Sequence, residues 1–298
     1  MNLLKKVARL SFFVLTLFYA SLAHAWSKSG HEAIAFTAFS MLSEAERAYY
    51  TELATLLFRS KGSNNKGDND ASGDVVKLGS FPDTIRDKPL SDVFRLYGES
   101  VPKLLLGFSD KTTARWHYHN VVVKNRLNHH CEFTNQGVLL DRLIILDAAL
   151  KSPLSKRQEA LLLSFQIHLI QDIHQPLHTL TKLGPECKHD LGGNRTCIME
   201  NRSGRCKLNL HRYWDSGLGV FDTPQVPMFA ISHNNVGSTK FLPEQWMSEN
   251  SALYEDIYQL EDPRYQEVSK VLIQKRVWIS VKRLTDYLKT HYKYVLKS

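Results

Sequence analysis

The chain has 298 residues, 43% of them hydrophobic and 23% charged, with 38 Lys and Arg against 30 Asp and Glu for a net charge of +8 at pH 7. That apolar content is too high for a charge-solvated disordered chain, and the absence of an internal repeat excludes a fibrous one. The mild basic excess suits polyanions such as nucleic acid, or an anionic membrane surface, although solvated lysines account for it equally well.

Residues 1–25 carry Lys5, Lys6 and Arg9, then an apolar run, then Ala23-His24-Ala25. This is the pattern of a cleaved secretory signal peptide, and the apolar run is too short for a comfortable bilayer crossing. Removing those 25 residues and their three cations leaves a mature chain of 273 residues at +5, beginning at Trp26, which is expected to be one domain. It is expected to be secreted or periplasmic, monomeric and without stable membrane association. The new α-amine at Trp26, with an ordinary pKa near 8, can become a neutral nitrogen ligand, and His31 lies five residues on.

The rest of the pattern predicts an all-α domain. Apolar side chains recur at helical intervals over 29–42, and Ser43 opens the next helix with the S-x-x-E form of a capping box. Residues 60–74 lack apolar periodicity and read as a flexible connection; Asp68, Asn69 and Asp70 are too incomplete a set for a calcium loop. FPDTIR then offers Asp83 and Arg86, and RWHYHN offers His117 and His119. His119 is assigned to packing or hydrogen bonding, because an i+2 neighbour points elsewhere on a helix.

Residues 136–150 and 155–175 read as long helices. The second leads into FQIHLIQDIHQPLH, where His168 and Asp172 stand four apart and project side by side. Pro176 disfavours helix at Gln175, which lets His178 turn toward the same pocket. Residues 184–208 combine glycine, asparagine and three cysteines and are expected to form a stapled loop beside the site. With Cys131 the cysteines number four, which suits disulfides in an exported protein with three pairings open; a cysteine zinc site is the alternative, weakened by the lack of a CxxC pair. NLHRYWD repeats the spacing of four in His211 and Asp215. Imidazole and carboxylate donors without thiolate suit zinc and its neighbours in catalytic sites. Near the carboxy terminus Val271, Trp278, Val281, Leu284 and Leu288 mark a core stripe, with Lys275, Arg276, Lys282 and Arg283 on a solvated face.

These motifs together resemble the S1/P1 nuclease family of zinc-dependent nucleases, related in fold to bacterial zinc phospholipase C. The resemblance rests on Trp26 and His31, on Asp83 with Arg86, on His117 in its aromatic-flanked pair, on the H-x-x-x-D-I-H-Q-P-L-H run from His168 to His178, on the DLGGN segment, and on His211 with Asp215. It departs from the family at Ser27, where Gly is common, and at Phe81, where Trp is frequent, and the stretch between Asp83 and His117 is longer than in the plant and fungal enzymes.

The resemblance implies three zinc ions. Asp83, His117, His168 and Asp172 would hold the first; His178, His211 and Asp215 the second; the Trp26 amine and carbonyl with His31 the third, sharing Asp172. It implies hydrolysis of RNA or single-stranded DNA to 5′-phosphate products, with Asp83 accepting a proton, Arg86 binding a phosphate oxygen and Asp172 bridging two ions. A 3′-nucleotidase activity is open. Single strands are expected to be preferred, since an unpaired base can stack on an aromatic side chain. The alternatives are a zinc phospholipase C, whose family has Glu where this chain has Asp215, and a non-catalytic exported zinc-binding protein. The sequons at Asn194 and Asn201 would be glycosylated only in a eukaryotic secretory pathway.

Overall fold

The computed structural model describes residues 26–59, 72–123, 131–184, 186–226 and 237–297. The predicted signal peptide and most of the 60–74 connection, with Asp68, Asn69 and Asp70, lie outside them. No described helix is long and apolar enough to cross a membrane.

The centre of the fold is α6 (Lys156–Asp172), whose side chains are buried continuously from Glu159 to the last residue. A helix apolar on all sides must be surrounded. Around it stand α1 (Lys28–Ser40), α2 (Glu44–Phe58), α3 (Ser72–Ile85) and α5 (Leu139–Leu150), and the long α10 (Tyr265–Val295) closes the bundle against α1 and α6. Ser155 caps α6 in a reciprocal capping box with Gln158, and Ser43 caps α2 with Glu46 as its sequence predicts.

Three small departures from helix position the site. Strand β1 (His119–Val122) lies between β2 (Gln136–Gly137), antiparallel to it, and β3 (Leu180–Thr181), parallel to it. Residues 136–137 therefore form a strand rather than the start of the predicted 136–150 helix. Gly137 has φ +85°, and a Cβ there would fall 2.0 Å from the Tyr118 carbonyl oxygen, so glycine ends the strand where Leu139 begins α5. Second, β4 (Cys197–Glu200) and β5 (Cys206–Asn209) make a hairpin that feeds α7 (Leu210–Asp215). Third, Pro82 sits inside α3 and cannot donate to Leu78; the freed Leu78 carbonyl accepts the Ser164 hydroxyl at 2.8 Å instead.

The cysteines pair as Cys131–Cys187 and Cys197–Cys206, which excludes the cysteine zinc alternative. The α10 expectation needs correction at both faces. Val271 is 58% exposed, while Arg276 and Arg283 are buried against Glu249 of α8 (Pro243–Ser251) at 3.1 and 2.6 Å. Trp278, Val281, Leu284 and Leu288 are in the core as predicted.

Candidate metal centre

Four helices and two turns bring the predicted ligands to one buried place. His31 comes from α1, Asp83 from the end of α3, His117 from the residue pair before β1, His168 and Asp172 from α6, His178 from the turn after Pro176, and His211 and Asp215 from α7. The end of α6 explains how two of them reach it. Gln175, extended at φ −86° and ψ 111° as a residue before proline must be, accepts the Leu177 N–H on its own side-chain oxygen and opens a short turn over Pro176–His178. Its amide nitrogen donates to Asp215 Oδ1 at 2.7 Å and ties that turn to α7.

The donors form three groups, each within a small sphere: His31, His168 and Asp172; Asp83, His117 and His168; and His178, His211 and Asp215. In the second group His117 Nδ1 and His168 Nε2 lie 2.8 Å apart, with Asp83 Oδ1 at 3.7 to 3.8 Å from the two nitrogens, and Asp172 Oδ2 of the first group is 3.2 Å from each. Asp172 turns its other oxygen to His31 Nε2 at 3.5 Å, and His211 Nε2 stands 3.4 Å from Asp215 Oδ2. Four donors around one zinc at about 2.0 to 2.1 Å are themselves about 3.3 Å apart. The spacings match a cation cage.

Four imidazoles are oriented by a hydrogen bond from the far nitrogen. His31 Nδ1 donates to Gln171 Oε1 at 2.6 Å, His168 Nδ1 to the Gly79 carbonyl at 2.7 Å, His178 Nδ1 to the His117 carbonyl, and His211 Nδ1 to the Gly192 carbonyl at 2.7 Å. Each bond occupies Nδ1–H and aims Nε2 inward, so that the neutral ring carries its lone pair on Nε2, which is how ligating histidines are held. Gly192 can offer its carbonyl because it has φ +61° and passes so close to the Leu177 carbonyl that a Cβ would lie 2.2 Å from that oxygen. This gives the DLGGN segment a physical purpose.

Buried, aimed into the site and without a hydrogen-bond partner are His31 Nε2, His178 Nε2, both Asp83 oxygens and Asp172 Oδ1. Such groups cost about 1 to 3 kcal/mol each when left unsatisfied, so their convergence fits cations. The electrostatics agree. Burial alone would raise Asp172, yet His168 and hydrogen bonds from His117 and His168 hold it well below the carboxylate range. Burial, with Asp172 and Asp83 nearby, pushes Asp215 well above it. Burial also opposes the charge on His168, but Asp172 and Asp83 raise it to about 9, whereas burial and His168 press His31 down to about 3.

Trp26 is fully buried, its indole donating to the Gln171 carbonyl at 3.2 Å and its ring edge-on to Phe221 at 5.6 Å; the next N–H, of Ser27, donates to the Asp215 carbonyl. Trp26 thus lies between α6 and α7. Arg86 is buried with Nη1 3.9 Å from Asp83 Oδ1. His119 stands outside the three groups, half-buried on β1, and its Nδ1 has no hydrogen-bond partner.

Sequence reasoning missed the residues that support these candidate ligands. Gln171 and Gln175 flank Asp172 and His178 in the quoted motif, and their helical and pre-proline positions were the available signal. Asn250 of α8 was invisible to it: its amide donates to the Ile173 carbonyl and to Thr179 Oγ1, both at 2.8 Å, clasping the turn that separates Asp172 from His178. Compared with known families, residues 26–293 match the one described as S1/P1 Nuclease. No curated protein matches the chain.

Proposed function

This chain belongs to the S1/P1 nuclease family, and from that premise we propose that it is an exported, trinuclear zinc phosphodiesterase, cutting single-stranded RNA or DNA to 5′-phosphate products. The observation that carries the reading is the convergence of three His and Asp donor groups with buried, inward-facing, unsatisfied atoms. His117, Asp83, His168 and Asp172 would hold one ion, His178, His211 and Asp215 another, and His31 with the Trp26 amine and Asp172 a third. When bound there, zinc supplies Lewis acidity, which activates water near neutral pH and neutralises phosphoryl oxygens.

The chain's own residues do the remainder. Asp172 presents one oxygen to the His117–His168 side and the other to His31, so it joins two donor groups and fixes their separation. Asp83, at the edge of its group, accepts the proton released by the attacking water. Arg86, beside it, offers a planar fork of donors to a nonbridging phosphate oxygen, and its burial sharpens that preference. Signal cleavage between Ala25 and Trp26 frees the amine that completes the third group, and the two disulfides suit an oxidising compartment. The protein acts as a monomer without stable membrane association.

The experiment is digestion of single-stranded RNA, single-stranded DNA, duplex and phosphatidylcholine by the zinc-loaded mature protein, with product ends identified. Single strands should be cut fastest, with 5′-phosphate ends and intact lipid. Equal cleavage of duplex would remove the strand preference, and preferential release of phosphocholine would favour the phospholipase reading. No cleavage of any of the four by fully loaded protein would leave a non-catalytic zinc-binding protein.

A further inference from the structure

Far from the metal centre, α5, α10 and the segment leading into α8 enclose a cleft of about 640 Å³, within the roughly 300 to 1,000 Å³ of small-molecule sites. Four lysines line it: Lys151, Lys240, Lys289 and Lys293. Lys151 pairs with Asp147 at 2.6 Å, but among the described residues Lys240, Lys289 and Lys293 have no carboxylate at ion-pair distance. Asp147 is further engaged by the Tyr287 hydroxyl at 3.1 Å, so Asp286 is the remaining anion on the wall. Beside the cations stand aromatic rings. Tyr294 is 39% exposed, its hydroxyl anchored on the Lys151 carbonyl at 2.7 Å so that the ring is held in place, and Phe241 packs on Tyr287 at 5.2 Å.

Unpaired ammonium groups beside a fixed, accessible aromatic ring are the complement of one chemical unit, a phosphate next to a base. We propose that this cleft binds a nucleotide unit outside the metal centre. The choice of nucleic acid over other anions rests on the nuclease reading. Arg276 of the same helix hydrogen-bonds the His174 carbonyl, two residues from Asp172. Lys289 lies 13 residues beyond it, roughly 20 Å along the helix axis. A mononucleotide at the metals cannot reach the cleft, whereas a longer strand can occupy both.

The test uses the mature protein and a nuclease-resistant phosphorothioate strand of about 20 nucleotides, longer than the sites single-strand binders cover, with binding read by fluorescence anisotropy. The Lys289→Glu/Lys293→Glu double variant should weaken that binding at least tenfold. The slope of log affinity against log salt should shrink by about 1.4, the share of two phosphate contacts on a single strand. Tyr294→Leu should weaken binding by stacking loss while leaving the salt slope unchanged. Turnover of a dinucleotide should be unaffected in both. A nucleoside monophosphate separates the two sources of this chemistry: weaker binding than the strand assigns the cleft to substrate, equal binding to a released product. Unchanged strand affinity in the double variant, or polyphosphate binding as tightly as the strand with Tyr294→Leu silent, would overturn the proposal. Because binding is read without cleavage, a protein that fails to cut any strand would defeat the nuclease reading while this result stood separately.

Discussion

Gln171 holds both amino-terminal elements of the candidate metal centre: its side-chain oxygen accepts His31 Nδ1–H at 2.6 Å, and its backbone carbonyl accepts the Trp26 indole at 3.2 Å. One residue of the buried helix thereby orients an imidazole and seats the residue whose amine would ligate. Replacing Gln171 with Leu keeps the bulk and the carbonyl but removes the acceptor for His31. Zinc affinity of the weakest site should fall by about 10 to 100-fold, the usual cost of removing a ligand's orienting partner, with the melting temperature of the metal-free protein little changed. Stepwise zinc titration reads this directly, and unaltered affinity at every step would show that the bond orients nothing.

Asp172 faces two donor groups, so its loss should differ in kind from loss of a ligand that serves one. Asp172→Ala should release two of the three ions and lower turnover at least a hundredfold, about 3 kcal/mol of transition-state stabilisation. His211→Ala should release one. Elemental analysis of both variants checks the difference, and equal losses would refute the bridge.

An amide nitrogen cannot donate its lone pair, so a single added residue before Trp26 should remove one ion and most activity while the protein stays folded. A Met-Trp26 form, verified by mass to retain the methionine, is the sample to measure. Full zinc content and full turnover in that form would rule out the amine as a ligand.

His168 in the metal-free protein keeps its proton up to about pH 9, held there by Asp172 and Asp83 against the penalty of burial. A ligating imidazole must be neutral, so zinc displaces that proton. The sign is fixed: affinity should rise with pH, by roughly tenfold per unit while His168 remains protonated, and level off above its pKa. Calorimetry of zinc binding in two buffers of different ionisation enthalpy should show net proton release near pH 7. Identical heats in both would contradict it.

The candidate ligands were legible in the sequence because a helix places His168 beside Asp172 and His211 beside Asp215 by geometry alone, and because Pro176 forces the turn that returns His178. The capping box at Ser43 fixed one helix start for the same local reason. What stayed hidden depends on distant partners. Arg276 and Arg283 look like a solvated stripe until Glu249 arrives from α8 to neutralise them, and Gln136–Gly137 becomes a strand only because β1 offers it an edge. Disulfide pairing was likewise undetermined, since the closing of β4 onto β5 is what brings Cys197 to Cys206. Asn250, though buried and clasping both sides of the ligand-bearing turn, sits in a stretch with no motif of its own.

The measurement that bears most directly on a trinuclear centre is the zinc content of the purified mature protein after loading and removal of excess metal. Three donor groups, the first two sharing His168 and joined by Asp172, each with buried atoms that lack hydrogen-bond partners, predict close to three ions per chain. One ion or none would contradict the account.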